Sequence, residues 1–247
     1  MMKTLVMALL AGCCLAGPAI ASDSKPVTGV IEMFTSQGCG SCPDADRLLL
    51  DLAREDQLIA LGYHVDYWDY RGWKDTLASP AFTERQAGYA RSFDSLSVYT
   101  PQAVINGRRH VKGSDEAAIE RTMADLQRSG EGLAVDVRLS RSGNNIVIEA
   151  GPGSAGGREA HLVLVFFDAM TEVAIDRGEN RGSTIAYANV VKDIRTAGVW
   201  HGNAVRYELP RSEVVRTGST GCALLLQAVG KDNLPGEILG AAVLSAL

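Results

Sequence analysis

The sequence predicts a mixed fold, with an α/β unit in the first half of the chain and an all-β, sandwich-like unit in the second. Up to about residue 130, short apolar runs alternate with helical patterns. Beyond the glycine-containing break at 129–132, strand-like runs follow one another between glycine-rich loops. Alternating strands and helices are typical of α/β units, whereas successive short strands with turn signals indicate a sandwich or barrel.

The first half is predicted element by element from apolar spacing. The run at 27–34 predicts a buried strand. Over 43–54, one apolar stripe predicts a helix, formed by Ala45, Leu48, Leu49 and Leu52. Pro43 suits the first turn of that helix, where its missing N–H costs nothing. The other predicted elements are a strand at 58–67, a helix from Ser79-Pro80 to about Phe93, a strand at 102–106, an edge strand at 109–112 and a helix at 115–128.

The second half carries no helical pattern of comparable strength. Its strand-like runs indicate a β-rich domain over 131–247, after an α/β domain over 22–130. The runs lie at 133–139, 146–150, 160–167, 185–191, 204–209, 221–229 and 237–244.

Composition limits the classes of function. The 247 residues are 46% hydrophobic and 21% charged, which is ordinary for a globular protein. The net charge of −5 gives no basic footprint for nucleic acid, so we expect no nucleic-acid partner.

The N-terminus has the pattern of a signal peptide over 1–21. Lys3 precedes an apolar stretch at 5–11, and Ala19-Ile20-Ala21 matches a cleavage site before Ser22. The sequence therefore predicts a periplasmic or secreted protein. A lipid anchor on Cys13 is the alternative, because Leu10-Ala11-Gly12-Cys13 is similar to a bacterial lipobox. We expect no transmembrane segment.

Cys39 and Cys42 form a CxxC motif between the first strand and the first helix. A cysteine at a helix N-terminus is favoured as thiolate, the nucleophile of disulfide exchange. We expect Cys39 to attack and Cys42 to resolve the mixed disulfide, with a protein thiol or disulfide as partner and no cofactor. Glu32 in the preceding strand is a candidate to relay the proton of Cys42. The alternative is a carboxylate paired with a backbone group or an arginine.

Thr100-Pro101 lies about 60 residues after the CxxC motif and begins a short strand. In a thioredoxin fold a cis-proline at this place packs beside the active cysteines. It would leave the backbone of Thr100 open to a substrate strand. We therefore predict that Pro101 shapes the site and that Thr100 and Gly38 contact substrate.

Three stretches together resemble the DUF1223 family of secreted bacterial proteins. They are Glu32 to Pro43, Tyr63 to Trp73, and Tyr99-Thr100-Pro101-Gln102 with Asn106-Gly107. Segments 177–182 and 189–191 fit it as well. The resemblance implies a thioredoxin-like first domain, but it implies no reaction.

Other interpretations of these motifs stay open. The CxxC pair could be a structural disulfide or a Cu(I) site, and the chain could be a non-catalytic binding module. Zinc is not expected, because no histidines stand in paired spacing. Cys222, in an apolar run, is predicted to be a buried, inert thiol. The 177–182 loop is read as a solvated turn or, alternatively, as an anion-binding or docking loop.

Overall fold

A computed structural model describes residues 27–215 and 218–244. The predicted signal peptide at 1–21, its cleavage before Ser22 and the alternative anchor at Cys13 lie outside these residues. No helix in the described ranges is long and apolar enough to cross a membrane.

The strands and helices alternate in the first half and give way to strands in the second. The helices are α1 (Pro43–Leu52), α2 (Pro80–Ser92), α3 (Glu116–Arg128) and α4 (Arg211–Val215). The strands are β1 (Gly29–Thr35), β2 (Leu58–His64), β3 (Gln102–Ile105), β4 (Arg109–Lys112), β5 (Val137–Ser142), β6 (Asn145–Ala150), β7 (Ala160–Ala174), β8 (Thr184–Trp200), β9 (Val205–Pro210), β10 (Gly221–Val229) and β11 (Pro235–Leu244).

The strands form one large sheet and one small sheet. The large sheet has eight strands in the order β11-β10-β7-β8-β2-β1-β3-β4, and the small sheet has the order β5-β6-β9. β1 pairs in parallel with β2 and antiparallel with β3. β8 joins the free edge of β2 in parallel, with Gly62 opposite Val190.

This topology shows that the predicted fold class, a thioredoxin-like α/β domain followed by an all-β sandwich-like domain, is wrong. Strands from both halves of the chain hydrogen-bond within one mixed eight-stranded sheet, which is not a helix-flanked thioredoxin fold. The physical reason lies in β7 and β8, which run 15 and 17 residues instead of the seven or eight predicted. Their length carries β8 to the edge of β2, so the sheet continues across the predicted boundary.

Alternation along the strands gives the large sheet two apolar faces. On one face, Ile31 and Met33 pack with Leu49 of α1 and Ile119 of α3. Farther along, the small sheet covers a core that includes Leu164. The opposite face carries α2, and Val30 and Phe34 belong to that core. The side chains of β1 therefore alternate between the α1 face and the α2 face, which decides what each residue near the CxxC motif can reach.

Candidate functional site

Cys39 and Cys42 are joined by a disulfide at the start of α1, with their Cα atoms 5.4 Å apart. Cys42 is the N-cap residue of the helix, and Pro43 occupies the first turn as predicted. The Ser41 hydroxyl lies 3.5 Å from the Cys39 sulfur and is free to rotate its proton toward it. Cys39 is 1% exposed and Cys42 fully buried, whereas Gly40 and Ser41 face solvent. The disulfide therefore lies just beneath an exposed two-residue turn.

Trp68 links the CxxC loop to the Thr100–Pro101 segment. A Cβ atom on Gly38 would lie 3.2 Å from the Trp68 carbonyl oxygen, so the two residues are in close contact. The indole N–H of Trp68 donates to the Thr100 hydroxyl at 2.7 Å. The Thr100–Pro101 peptide bond is cis, as predicted. Trp68 thus bridges Gly38, the residue before Cys39, and Thr100, the residue before the cis-proline.

The turn between β7 and β8 covers the other side of the loop. Asn180 donates through Nδ2 to the carbonyl oxygens of Gln37 and Cys39, at 2.8 and 3.0 Å. Glu179 accepts from the Gly40 N–H at 3.0 Å and pairs with Arg71. The 177–182 loop is therefore a clamp on the CxxC loop, a role that the sequence did not reveal.

A buried polar cluster lies on the α1 face, at the ends of β1 and β2. Thr35 and His64 are paired across the two strands, and Thr35 donates its hydroxyl proton to Asp46 Oδ1 at 2.6 Å. His64 Nδ1 lies 2.8 Å from Asp75 Oδ2. The imidazole packs edge-on against Tyr187 of β8, with ring centroids 4.7 Å apart. All five residues are buried.

The cluster connects directly to the CxxC motif. The backbone N–H of Asp46 donates to the Cys42 carbonyl oxygen at 3.0 Å, so the two residues stand one helical turn apart. Asp75 Oδ2 also accepts from the Gln37 N–H at 2.7 Å. Asp46, His64 and Asp75 therefore lie directly behind the loop that carries the disulfide.

The two carboxyl groups of the cluster have opposite pKa shifts. The pKa of Asp46 is raised to about 7 by burial. The Thr35 hydrogen bond and the nearby His64 lower the pKa, but by less than burial raises it. Burial also opposes ionisation of Asp75, but the His64 imidazole and the N–H groups of Gln37 and Leu77 hold its pKa below the usual range. Near neutral pH, Asp75 is an anion paired with His64, and Asp46 is divided between its two protonation states.

Glu32 lies away from this cluster. It shares the α2 face of β1 with Val30 and Phe34, whereas Thr35 points toward α1. Its two oxygens accept from Arg85 at 2.7 and 3.1 Å, and the Tyr89 hydroxyl also donates to it. The structure therefore does not bring Glu32 to the cysteine pair, and it pairs the carboxylate with an arginine.

One signal in the sequence indicated that Asp46, and not Glu32, lies behind the cysteine pair. Cys42, Asp46 and Leu49 have the i, i+4, i+7 spacing of one helix face, and Leu49 belongs to the buried stripe. This spacing predicts that the Asp46 side chain points into the protein, so its role is not limited to complementing the helix dipole. No comparable signal marks Asn180 or Asp75, because their partners are distant in sequence.

Two other predicted features concern metals and the third cysteine. Within the described ranges, no group of three or more His, Cys, Asp or Glu residues is placed to hold a metal ion. Cys222 is buried in β10, as predicted, and burial raises its thiol pKa to about 12. A thiol with that pKa is not nucleophilic near neutral pH.

The chain is similar to two solved structures. Protein AGR_C_4864 from Agrobacterium tumefaciens is 40% identical and superposes with a TM-score of 0.81, over 89% of this chain and 95% of the other. HBP35 of Porphyromonas gingivalis is 12% identical, with a TM-score of 0.57 over 90% of this chain and 76% of the other, which is a likeness of fold alone.

The sequence comparisons agree with the resemblance noted from the motifs. No curated protein matches the chain. Residues 30–227 match the family described as "Protein of unknown function (DUF1223)", a range that includes the CxxC motif, the polar cluster and the clamp. The chain therefore belongs to the DUF1223 family.

Proposed function

We propose that this protein carries out thiol–disulfide exchange with a protein substrate through Cys39 and Cys42. The observation that carries the proposal is the position of the disulfide at the first turn of α1. The positive end of the helix dipole stabilises a thiolate there, and a stabilised thiolate is the form in which a cysteine leaves or attacks in exchange.

Cys39 is the sulfur that meets the substrate. It precedes the helix, lies beside the exposed Gly40-Ser41 turn, and has the Ser41 hydroxyl near its sulfur. Cys42 lies deeper, at the helix start, and resolves the mixed disulfide. No cofactor enters this cycle, because the substrate supplies the other thiol or disulfide.

Trp68, Thr100 and Pro101 form the side on which we expect substrate to bind. The Trp68 indole holds Thr100 beside Gly38, and Thr100 and Trp68 are both partly exposed. An extended segment of substrate placed along this edge brings its own sulfur toward Cys39. In this proposal Gly38 and Thr100 contact the substrate.

Burial of the disulfide adds a requirement. Cys39 is only 1% exposed, so a substrate sulfur reaches it only after the covering groups move. The clamp formed by Glu179 and Asn180 holds the CxxC loop through three hydrogen bonds. Local opening of such a contact requires far less free energy than unfolding the core, so opening of the clamp is the expected first step.

The test compares cysteine variants in two assays, reduction of insulin disulfides and oxidation of reduced ribonuclease. Cys39→Ser is expected to abolish both rates, and Cys42→Ser is expected to trap a mixed disulfide between Cys39 and substrate. Cys222→Ala, which removes the buried thiol of β10, is the matched control and should leave both rates unchanged. Equal rates for Cys39→Ser and the unaltered protein would show that the pair does no exchange.

We also propose that the reaction takes place outside the cytoplasm. A stable Cys39–Cys42 disulfide is compatible with an oxidising compartment, and the 1–21 segment has the pattern of an export signal. Mass spectrometry of the mature N-terminus distinguishes the alternatives, since cleavage before Ser22 gives a soluble protein and acylation of Cys13 gives an anchored one.

A further inference from the structure

We propose that Asp46 is the proton donor and acceptor for Cys42 during the disulfide reaction. Thr35 holds this carboxyl group through a hydrogen bond, and the charges of the His64–Asp75 pair act on it. The inference rests on the proposed thiol–disulfide exchange and names the group that handles the proton.

The geometry of α1 directs Asp46 toward Cys42. Residues four apart on a helix lie on the same face, with Cβ atoms about 5–6 Å apart. Their side chains lean toward the helix N-terminus, so the Asp46 carboxyl leans toward the turn that holds Cys42. The hydrogen bond from the Asp46 N–H to the Cys42 carbonyl oxygen shows that this turn is regular helix.

The buried polar atoms of the cluster give a second, independent observation. Asp46 Oδ2, His64 Nε2 and the Tyr187 hydroxyl have no hydrogen-bond partner among residues 27–215 and 218–244, although each residue is at most 2% exposed. Buried polar atoms are almost always paired, and an unpaired one calls for an explanation. An oxygen that gives up and receives a proton during a reaction cycle explains Asp46 Oδ2.

The exchange step balances with these groups. A substrate thiolate forms a bond to the Cys39 sulfur, the bond between Cys39 and Cys42 breaks, and its electron pair goes to the Cys42 sulfur. The proton of the neutral Asp46 carboxyl moves to that sulfur and leaves a carboxylate. In the reverse direction, the Asp46 carboxylate takes the proton from the Cys42 thiol as its sulfur attacks the mixed disulfide.

The surroundings suit this transfer near neutral pH. The titratable groups that interact electrostatically with Asp46 are His64 of β2, Asp75 of the following loop and Tyr187 of β8. Cys42 lies one helical turn before it in the same helix. Burial raises the pKa of Asp46 to about 7, and a proton donor works best when its pKa is near the operating pH. The Thr35 hydroxyl keeps a hydrogen bond to the carboxylate after the proton has left.

The experiment measures the rate at which dithiothreitol reduces the Cys39–Cys42 disulfide of the full chain between pH 5.5 and 9. The ratio of the unaltered protein's rate to that of Asp46→Asn is expected to be constant below about pH 7. It should then fall by up to about tenfold per pH unit, as the carboxyl loses its proton. Opening of the clamp affects both proteins equally and cancels in the ratio.

Two further variants separate proton transfer from a structural effect. Thr35→Val removes the hydrogen bond that lowers the Asp46 pKa, so the break in the profile should move to higher pH. Asp44→Asn alters an exposed carboxylate on the same helix and should keep the original profile. Parallel profiles for the unaltered protein and Asp46→Asn, or a break that Thr35→Val leaves in place, would overturn the proposal.

The outcomes also separate this inference from the proposed function. If the break near pH 7 is found with dithiothreitol but insulin and ribonuclease are not turned over, the proton role stands and the protein-substrate function fails. If protein substrates are turned over but the profile has no break, the proton role fails alone. Should Asp46→Asn not fold, the profiles of the unaltered protein and Thr35→Val decide the question by themselves.

Discussion

Replacing Asp46 with asparagine should stabilise the protein at alkaline pH and have little effect at acidic pH. Asparagine has nearly the same shape as aspartate, keeps an oxygen that can accept from Thr35, and carries no charge at any pH. The comparison therefore isolates the free energy of ionising the buried carboxyl group.

The magnitude follows from the shift in pKa. The Asp46 pKa is about 7 in the folded protein against 3.8 for an unperturbed aspartate, a difference of about three units. Each unit corresponds to about 1.4 kcal/mol. Between these two values the folded state binds more protons than the unfolded state, so stability falls as pH rises. The stability that the neutral carboxyl contributes is complete below about pH 4 and is lost by about pH 7. The free energy of unfolding of Asp46→Asn, relative to that of the unaltered protein, should therefore rise by about 4 kcal/mol between pH 4 and 8.

Urea unfolding of the oxidised protein, followed by tryptophan fluorescence at several pH values, measures this difference. Asp44→Asn is the control, and its effect should stay within about 0.5 kcal/mol across the range, because its side chain is exposed. The test concerns only how the difference in free energy of unfolding between Asp46→Asn and the unaltered protein changes with pH, because any cost of fitting the amide is the same at every pH. A difference that does not change between pH 4 and 8 would refute a raised pKa for Asp46.

Three further substitutions test other parts of the structure. Glu32→Gln should lower the free energy of unfolding in urea by about 3–5 kcal/mol, because the largely buried Arg85 loses its carboxylate partner. It should leave the exchange rate of the folded protein unchanged. Asn180→Ala should speed reduction by dithiothreitol about 5- to 30-fold, because two hydrogen bonds of the clamp are worth about 1–2 kcal/mol together, whereas exposed Arg181→Ala should have no effect. Tyr187→Phe should raise the free energy of unfolding by about 1 kcal/mol, since it removes a buried hydroxyl that has no hydrogen-bond partner in the described part of the chain.

Local patterns in the sequence predicted the elements well. Of the predicted stripe, Ala45, Leu49 and Leu52 are buried in α1 and Leu48 is half-buried. Ser79-Pro80 begins α2, as predicted. These features are local, because helical periodicity and capping depend on residues within a few positions of each other. The same holds for the CxxC motif, whose position before α1 follows from adjacent residues.

The length and pairing of β7 and β8 were not predicted. The end of β7 beyond Asp168 is largely exposed, and much of β8 beyond Val191 is only partly buried. These paired parts of β7 and β8 form a two-stranded ribbon, and they lack the continuous apolar run by which a strand is recognised. Its pairing with β2 joins Gly62 to Val190 across 128 residues, and nothing in one sequence marks so distant a pair.

The unpredicted ribbon is also what completes the site. Asn180 and Glu179 lie in the turn between β7 and β8, and Tyr187 follows in β8 against His64. Pairing of β8 with β2 fixes this ribbon beside α1, so one topological feature both merges the two halves into a single sheet and covers the disulfide. The second half of the chain therefore contributes the turn that covers the CxxC loop, while the first half contributes the two cysteines and the buried Asp46 carboxyl. A site divided in this way can hold its disulfide buried at rest and expose it through movement of one turn, without disturbing β1 and α1 on either side of the CxxC loop.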